Sequence, residues 1–169
     1  ISSAYPLVKN GMIPADCPLT CYSLTGYSGG GKKMIAEYEN ERRDPRLSSD
    51  RIYGLNLRHK HIPEMQKVCG LAHAPLFSPI VGDYYQGMAT TLMLWRDMLR
   101  GGPSSEDIRE ALAEHYGNEH FVSVAPFGGD ESVILSSTNA GTNNLRLIVC
   151  GNGEQTTVTA LFDNLGKGA

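Results

Sequence analysis

The sequence predicts an α+β fold in a single domain. Helix-like and strand-like segments are interspersed along the chain, and two of the strand-like segments are joined by Gly151-Asn152-Gly153, which is typical of a tight antiparallel turn. An antiparallel pair of this kind favours an α+β layer over a doubly wound sheet. With 169 residues, 41% of them hydrophobic, the chain can bury one sizeable core, so we expect one domain over residues 1–169.

The first quarter of the chain is predicted to contain a helix end, a strand, a glycine loop and a helix. Residues 4–11 are typical of the last turns of a helix that closes on a glycine, so the chain is expected to begin inside an element. Residues 19–27 are rich in Thr, Tyr and Leu and predict a strand. The glycine loop occupies residues 28–31, and residues 32–43 predict a helix that Asp44-Pro45 stops.

The second quarter predicts two strands separated by a short helix. Residues 52–57 alternate as a half-buried strand does, and Pro63 begins a helix that ends near Gly70. Residues 71–81, which include two prolines, are expected to be extended or in turns. Residues 88–95 fit a strand or a buried helix, and we favour the strand.

The second half opens with the clearest helix start in the sequence. Ser104 can cap the helix, the acidic residues that follow favour the positive end of its dipole, and Gly117 ends it. Three further strands are predicted, at residues 121–124, 145–150 and 156–162.

Composition excludes several classes of partner. The net charge of −3 comes from 15 basic and 18 acidic residues without a basic run, so we expect no nucleic-acid partner. No apolar stretch approaches the roughly 18 residues that span a bilayer, so we expect no membrane partner. The four cysteines are too irregularly spaced for a metal motif and too few for a disulfide scaffold, which favours a reducing, cytoplasmic location.

The glycine loop is a candidate anion site. Gly26 to Lys32 has the spacing of a P-loop between a strand and a helix, but Lys33 stands where nucleotide binding needs Ser or Thr, which argues against nucleotide hydrolysis. Backbone amides at a helix N-terminus beside Lys32 would still bind a phosphate or carboxylate. A tight turn that needs glycines for conformational reasons is the alternative.

A second candidate site combines His59, His61 and Glu64. Two histidines at i and i+2 of a strand project to the same side, and the carboxylate follows at the next helix start. The group suits acid/base chemistry, and simple surface or core histidines are the plain alternative. A metal-binding module is a further alternative, although the similar cupin pattern belongs to all-β barrels. The other three histidines, His73, His115 and His120, are assigned no role.

Five motifs together resemble a known family. The chain resembles the short-chain type of N-acetyl-gamma-glutamyl-phosphate reductase over essentially its whole length. The resemblance implies a mixed, largely antiparallel sheet with helices on one face, like the C-terminal domain of glyceraldehyde-3-phosphate dehydrogenases. The motifs are Ser28-Gly29-Gly30-Gly31-Lys32, His59-Lys60-His61-x-Pro63-Glu64, Pro79-x-Val81-Gly82-x-x-x-Gln86-Gly87-Met88, Gly141-Thr142-Asn143 and the segment from Asp163 to Ala169.

The resemblance implies that the chain is one of the two domains, the substrate domain, of an oxidoreductase of arginine biosynthesis. The family joins a Rossmann domain that binds NADP to a substrate domain, and a cysteine in an Asn-Pro-Gly-Cys-Tyr segment attacks the small-molecule acyl phosphate. None of the four cysteines lies in such a segment, so the nucleophile is expected just before Ile1. The dinucleotide fingerprint is also missing, so the chain alone is expected to be inactive. A homo-oligomer is expected, with no structural metal.

The resemblance also assigns residues. His61, with His59 as the alternative, is the expected acid/base, and Glu64 would orient it. The glycine loop would hold phosphate and Arg58 a carboxylate. We therefore predict a pocket where the loop meets both histidines; a metal module would gather them around one ion, and a non-catalytic interaction domain would fill the pocket with apolar side chains. The loop residues are Ser28, Gly29, Gly30, Gly31 and Lys32, and the nicotinamide-side residues are Asn164, Gly166 and Lys167.

Overall fold

The computed structural model describes residues 1–128 and 132–167 and contains one seven-stranded sheet with four α-helices. None of the helices in these two ranges is long and apolar enough to cross a membrane. The strands are β1 (Thr20–Gly26), β2 (Arg51–Ile52), β3 (Leu76–Gly82), β4 (Met88–Trp95), β5 (Val122–Val124), β6 (Leu145–Gly151) and β7 (Gln155–Phe162). The helices are α1 (Tyr5–Lys9), α2 (Gly31–Tyr38), α3 (Ile62–Cys69) and α4 (Ser105–Tyr116).

The sheet is mixed and largely antiparallel, as predicted. Its strand order is β2-β3-β1-β4-β7-β6-β5. Only β1 with β3 and β5 with β6 run parallel, and the other neighbours are antiparallel. The β6–β7 hairpin turns at Gly151-Asn152-Gly153, where the Asn152 side chain accepts hydrogen bonds from the Glu154 and Gln155 amides.

Helices α1, α3 and α4 cover one face of this sheet, which confirms the predicted layering. Leu7 of α1, Ile62 of α3 and Ile108 of α4 pack with sheet residues such as Leu147 and Val158 in one buried cluster. Each fully buried Leu or Ile stabilises the fold by about 1.5–3 kcal/mol relative to an exposed one. The α4 helix begins as predicted, because the Ser104 hydroxyl accepts from the Asp107 amide and Asp107 accepts from Ser104 in return.

The opposite face is half covered. Around Ala89, Ile148 and Leu161 it is buried by Ala125 and the half-buried Ile134 from the connection between β5 and β6. The other half, on β2, β3, β4 and their neighbours, leaves large apolar side chains exposed. These are Ile52, Leu76, Met93 and Trp95.

Two segment predictions were wrong at their boundaries. Residues 52–57 are not a strand beyond Ile52, because Gly54 and Leu57 have φ of +64° and +56°, which breaks extended backbone. The alternation arises from side chains such as Leu55 (78% exposed) that point to solvent. The helix predicted to reach residue 43 ends at Tyr38.

The segment predicted as extended or turn, 71–81, contains the regular strand β3. Pro79 lies inside this strand, where a missing amide is tolerated because β2 is two residues long and pairs only with Ile80 and Val81. The strand favoured at 88–95 is confirmed as β4.

Candidate functional site

The histidine cluster lies in the connection that enters α3. His61 is the N-cap residue of this helix, and its backbone amide donates to Nδ1 of His59 at 3.4 Å. The two imidazole centroids are 5.3 Å apart. The prediction that both histidines belong to a strand was wrong, since residues 53–61 form a loop and turn. The turn brings the rings together instead.

His61 and Glu64 form the contact that the sequence suggested. Nδ1 of His61 lies 3.2 Å from Oε2 of Glu64, and the two side chains are 35% and 59% exposed. A carboxylate at Nδ1 favours the tautomer that carries its proton there, which leaves Nε2 free to accept another proton. The pair can therefore present a basic nitrogen to solvent or substrate.

His59 is more enclosed than its neighbour. Its ring packs edge-on against Phe77 at 5.2 Å between centroids and tilts against Tyr53 at 5.7 Å. Burial lowers the pKa of His59 below its ordinary value, and the nearby His61 and Lys60 lower it further. At neutral pH this imidazole is held in its uncharged form.

The amino terminus and the histidine cluster share the helix-bearing face of the sheet. Ile1 lies in the neighbourhood of Cys21 and Cys69. Cys21 pairs across the strands with Phe77, the residue that His59 packs against. Burial nevertheless raises the pKa of Cys21 to about 11, so this thiol is unsuited to act as a nucleophile.

The glycine loop follows β1 at its carboxyl end. A 3₁₀ turn covers Tyr27–Gly30, and α2 begins at Gly31 with no side chain capping its first amides. Ser28 is buried, whereas Gly29 to Lys32 are exposed. Uncapped amides at the positive end of an eight-residue helix, beside an exposed lysine, suit an anionic group.

The glycine loop and the histidines occupy different positions along the same strands. Phe77, beside His59, and Gly82, beside the start of the glycine loop, are five residues apart in β3, about 16 Å in extended backbone. Within residues 1–128 and 132–167, no hydrogen bond, ion pair or ring contact joins the histidines to the loop. Arg58 is exposed at the histidine end. The structure therefore places the glycine loop and the histidines apart along these strands.

The loop after β7 forms a dense polar junction with the glycine loop. Asn164 is buried; its Oδ1 accepts from the Gly87 amide at 2.7 Å, and its Nδ2 donates to Oγ of Ser28 at 3.0 Å. The adjacent Asp163 is also buried and accepts from the amides of Leu165 and Gly166. The structure thus joins three of the predicted site residues, Ser28, Asn164 and Gly166.

The remaining predicted residues of this loop lie at the surface. Gly166 and Lys167 are exposed, and the Lys167 ammonium lies 5.6 Å from the Phe121 ring centroid. Gly168 and Ala169 fall outside the described residues. Asp163, Gln86 and Gly141 belong to three of the motifs that carry the resemblance, but none of them was predicted to be a catalytic or binding residue.

The described residues offer no site for the metal alternative. Among the residues that the structure describes, no three His, Cys, Asp or Glu side chains are placed to hold one ion. His61 faces Glu64, but the ring of His59 packs against Phe77 and Tyr53.

The chain is similar to several curated proteins named N-acetyl-gamma-glutamyl-phosphate reductase. The protein from Sinorhizobium fredii is 41% identical over 167 residues, covering 97% of this chain and 54% of the relative. The protein from Burkholderia cenocepacia is 39% identical over 168 residues, covering 97% of this chain and 54% of the relative. The Pseudomonas putida protein named N-acetyl-gamma-glutamyl-phosphate reductase 2 is 40% identical over 176 residues, covering 100% of this chain and 55% of the relative. The chain spans about half the length of these relatives.

Solved structures show the same fold. Aspartate semialdehyde dehydrogenase from Francisella tularensis superposes with a TM-score of 0.72 at 14% identity, over 99% of this chain and 58% of that one. Aspartate semialdehyde dehydrogenase II from Vibrio cholerae superposes with a TM-score of 0.71 at 13% identity, over 99% of this chain and 55% of that one. The predicted likeness to the C-terminal domain of glyceraldehyde-3-phosphate dehydrogenases is confirmed at the level of fold. The family model described as "Semialdehyde dehydrogenase, dimerisation domain" matches residues 1–164, and the chain belongs to that family.

Proposed function

We propose that residues 1–169 are the substrate and catalytic domain of an NADPH-dependent reductase. The intact enzyme would convert N-acetyl-glutamyl phosphate to N-acetylglutamate semialdehyde in arginine biosynthesis. Relatives at about 40% identity that carry the corresponding name support this substrate. The observation that carries the proposal is the His61–Glu64 pair on the sheet face that the amino terminus also occupies.

The proposed chemistry uses His61 as the acid/base. In the intact enzyme, a cysteine in the segment that precedes Ile1 would give its thiol proton to Nε2 of His61. The thiolate would then form a C–S bond with the acyl carbon as the C–O bond to phosphate breaks. Glu64 contacts Nδ1 and would hold the ring in orientation. After the thioester is reduced, the C–S bond would break as the aldehyde carbonyl forms, and His61 would return its proton to the departing thiolate. His59, kept neutral, is the alternative base.

The proposed substrate carries a phosphate and a carboxylate, and the chain offers a candidate group for each. The uncapped amides of the glycine loop and Lys32 would bind phosphate, and Arg58 would bind a carboxylate bidentately.

NADP is the cofactor that we propose for the intact enzyme. Gly166 and Lys167 remain exposed on the loop after β7 and would contact it, whereas both polar atoms of the Asn164 side chain already have protein partners. When bound, NADPH supplies the hydride for reduction. Most of its binding surface would come from a dinucleotide-binding domain that is not in this chain.

We also propose that the enzyme is a cytoplasmic homo-oligomer whose subunits associate through the open half of the sheet. The family is named for dimerisation. Ile52, Leu76 and Trp95 are each at least half exposed on this face, which favours burial against a second copy. The four cysteines are free thiols, consistent with a reducing compartment.

The test is a substrate comparison on the intact enzyme that contains this chain. NADPH oxidation should be fast with N-acetyl-glutamyl phosphate and at least about 100-fold slower with β-aspartyl phosphate. The reason is that a site built for the longer N-acetyl-glutamyl group makes fewer contacts with the shorter aspartyl group. Equal or reversed rates would overturn the proposed substrate. Sedimentation of the same preparation should give at least a dimer mass, and a monomer mass would contradict the proposed assembly.

A further inference from the structure

Asp163 is a buried carboxylate with an unusually complete set of donors. Only 1% of the residue is exposed. Its Oδ1 accepts from the amides of Leu165 at 2.8 Å and Gly166 at 2.7 Å, and its Oδ2 accepts from the Gly141 amide and the Gln86 side chain. One side chain therefore fixes its own loop, the turn at Gly141 and the connection that enters β4.

Asn164 extends the same junction to the glycine loop. Its Nδ2 donates to Oγ of Ser28, and its Oδ1 accepts from the Gly87 amide beside Gln86. The Asp163-Asn164 pair thus connects the phosphate-side loop with the loop that carries Gly166 and Lys167. Neither carboxylate oxygen of Asp163 needs a ligand to complete its hydrogen bonding.

The backbone segments that meet at this junction are packed too closely to shift relative to one another. A Cβ at Gly87, where φ is +117°, would lie 2.6 Å from the Ser137 Cα, and one at Gly26 would lie 2.5 Å from the Tyr85 carbonyl oxygen. A Cβ at Gly29 would lie 3.1 Å from Nδ2 of Asn164. The loops can approach this closely because glycine occupies each contact point.

We propose that Asp163 is a positioning residue that sets the distance between the phosphate-binding glycine loop and the nicotinamide-side loop. This inference rests on the proposed function of the two loops. Asp163 touches neither substrate nor cofactor, and it acts through Asn164 on one side and through the Leu165 and Gly166 amides on the other. Substrate binding and cofactor binding consequently depend on the same carboxylate.

The chemistry of the junction requires a carboxylate in particular. Four N–H donors converge on two oxygens, so an asparagine at this position would direct its own NH₂ group at some of them. Asp163→Asn preserves the shape while leaving donors unpaired. Its matched control is Asp107→Asn, which removes the exposed capping carboxylate of α4 far from either loop.

Kinetics and hydrogen exchange on the intact enzyme test the proposal. In Asp163→Asn, KM for the acyl phosphate and KM for NADPH should both rise, with kcat/KM at least about tenfold lower, a loss of 1.4 kcal/mol or more. Amides in residues 26–31 and 163–167 should lose protection together. Asp107→Asn should lower the melting temperature without changing either KM.

The outcomes separate this proposal from the proposed function. If Asp163→Asn only lowers the melting temperature, or loses protection only in residues 163–167, the coupling role is overturned. If the parent enzyme fails to reduce the acyl phosphate, the proposed function fails, while the exchange measurement still decides whether Asp163 couples the loops. Should Asp163→Asn not fold, Gln86→Met removes one donor to Oδ2 and should loosen both loops to a smaller extent; loss of protection in one loop alone would again contradict the coupling.

Discussion

The histidine cluster and the Asp163 junction, the two polar regions of this domain, differ in how much of their hydrogen-bonding capacity is used within the protein. At the histidine end, His61 and Glu64 share one 3.2 Å contact between partly exposed side chains. At the opposite end of β1 and β3, Asp163 is buried and accepts from four donors. The first arrangement leaves free protonation sites and the second leaves none.

This difference separates a group that can exchange protons from one that holds geometry. Burial lowers the pKa of His59, which keeps this ring uncharged near neutral pH. Burial alone would raise the pKa of Asp163, but hydrogen bonds from the Gly166, Gly141 and Leu165 amides and from Gln86 outweigh it, and the pKa lies below its usual range. The carboxylate therefore stays charged in the folded domain near neutral pH.

The largest expected effect comes from removing the proposed base. His61→Ala in the intact enzyme should lower kcat by about 10²–10⁴-fold, the usual contribution of a general acid/base, with NADPH affinity nearly unchanged. Steady-state kinetics and NADPH titration provide the two measurements. His73→Ala is the control, because His73 is exposed and belongs to neither polar region. Equal turnover in His61→Ala and the parent would remove the catalytic role from this region.

A pair of glycine substitutions should show the difference in rigidity. Gly87→Ala places a methyl group 2.6 Å from backbone at the Asp163 junction, and we expect it to cost about 4 kcal/mol or more of unfolding free energy. In Gly54→Ala, beside His59, the new methyl group would lie 3.5 Å from its nearest side-chain atom, an ordinary contact. The cost in unfolding free energy, about 1–2 kcal/mol, would therefore come only from the left-handed backbone at this position. Urea denaturation measures both. Similar losses for the two variants would mean that the regions are equally rigid.

The fold was predictable where local signals agree with tertiary packing. The Ser104 cap and the β6–β7 hairpin are fixed by neighbouring residues, and both were predicted. Strand β3 was not predicted as regular because Pro79 argues against a strand, and only the shortness of β2 makes it acceptable. The loop after Ile52 imitates a strand in sequence, since its exposed leucines alternate with polar residues and glycine.

The contacts of the candidate site were predictable only where they are local in sequence. The contact between His61 and Glu64 spans three residues, so local geometry suffices to suggest it. The Asp163 junction includes donors that are distant in sequence, such as Gln86, 77 residues away, and nothing local indicates that they meet the carboxylate. Separation of the histidines from the glycine loop likewise follows from the β1–β3 register, which the sequence does not specify.

The smallest expected effect is the titration of His59. Because its folded-state pKa lies below the ordinary value near 6.5, the unfolded chain binds the proton more readily than the folded domain. The stability that the neutral ring contributes is fully present above about pH 6.5 and is lost as the pH falls through the folded-state pKa. NMR titration of the ring protons should show this lowered pKa, and Lys60→Gln should raise it slightly by removing a like charge. A His59 pKa at or above 6.5 would show that the ring is solvated, and would weaken the contrast between an enclosed His59 and an accessible His61.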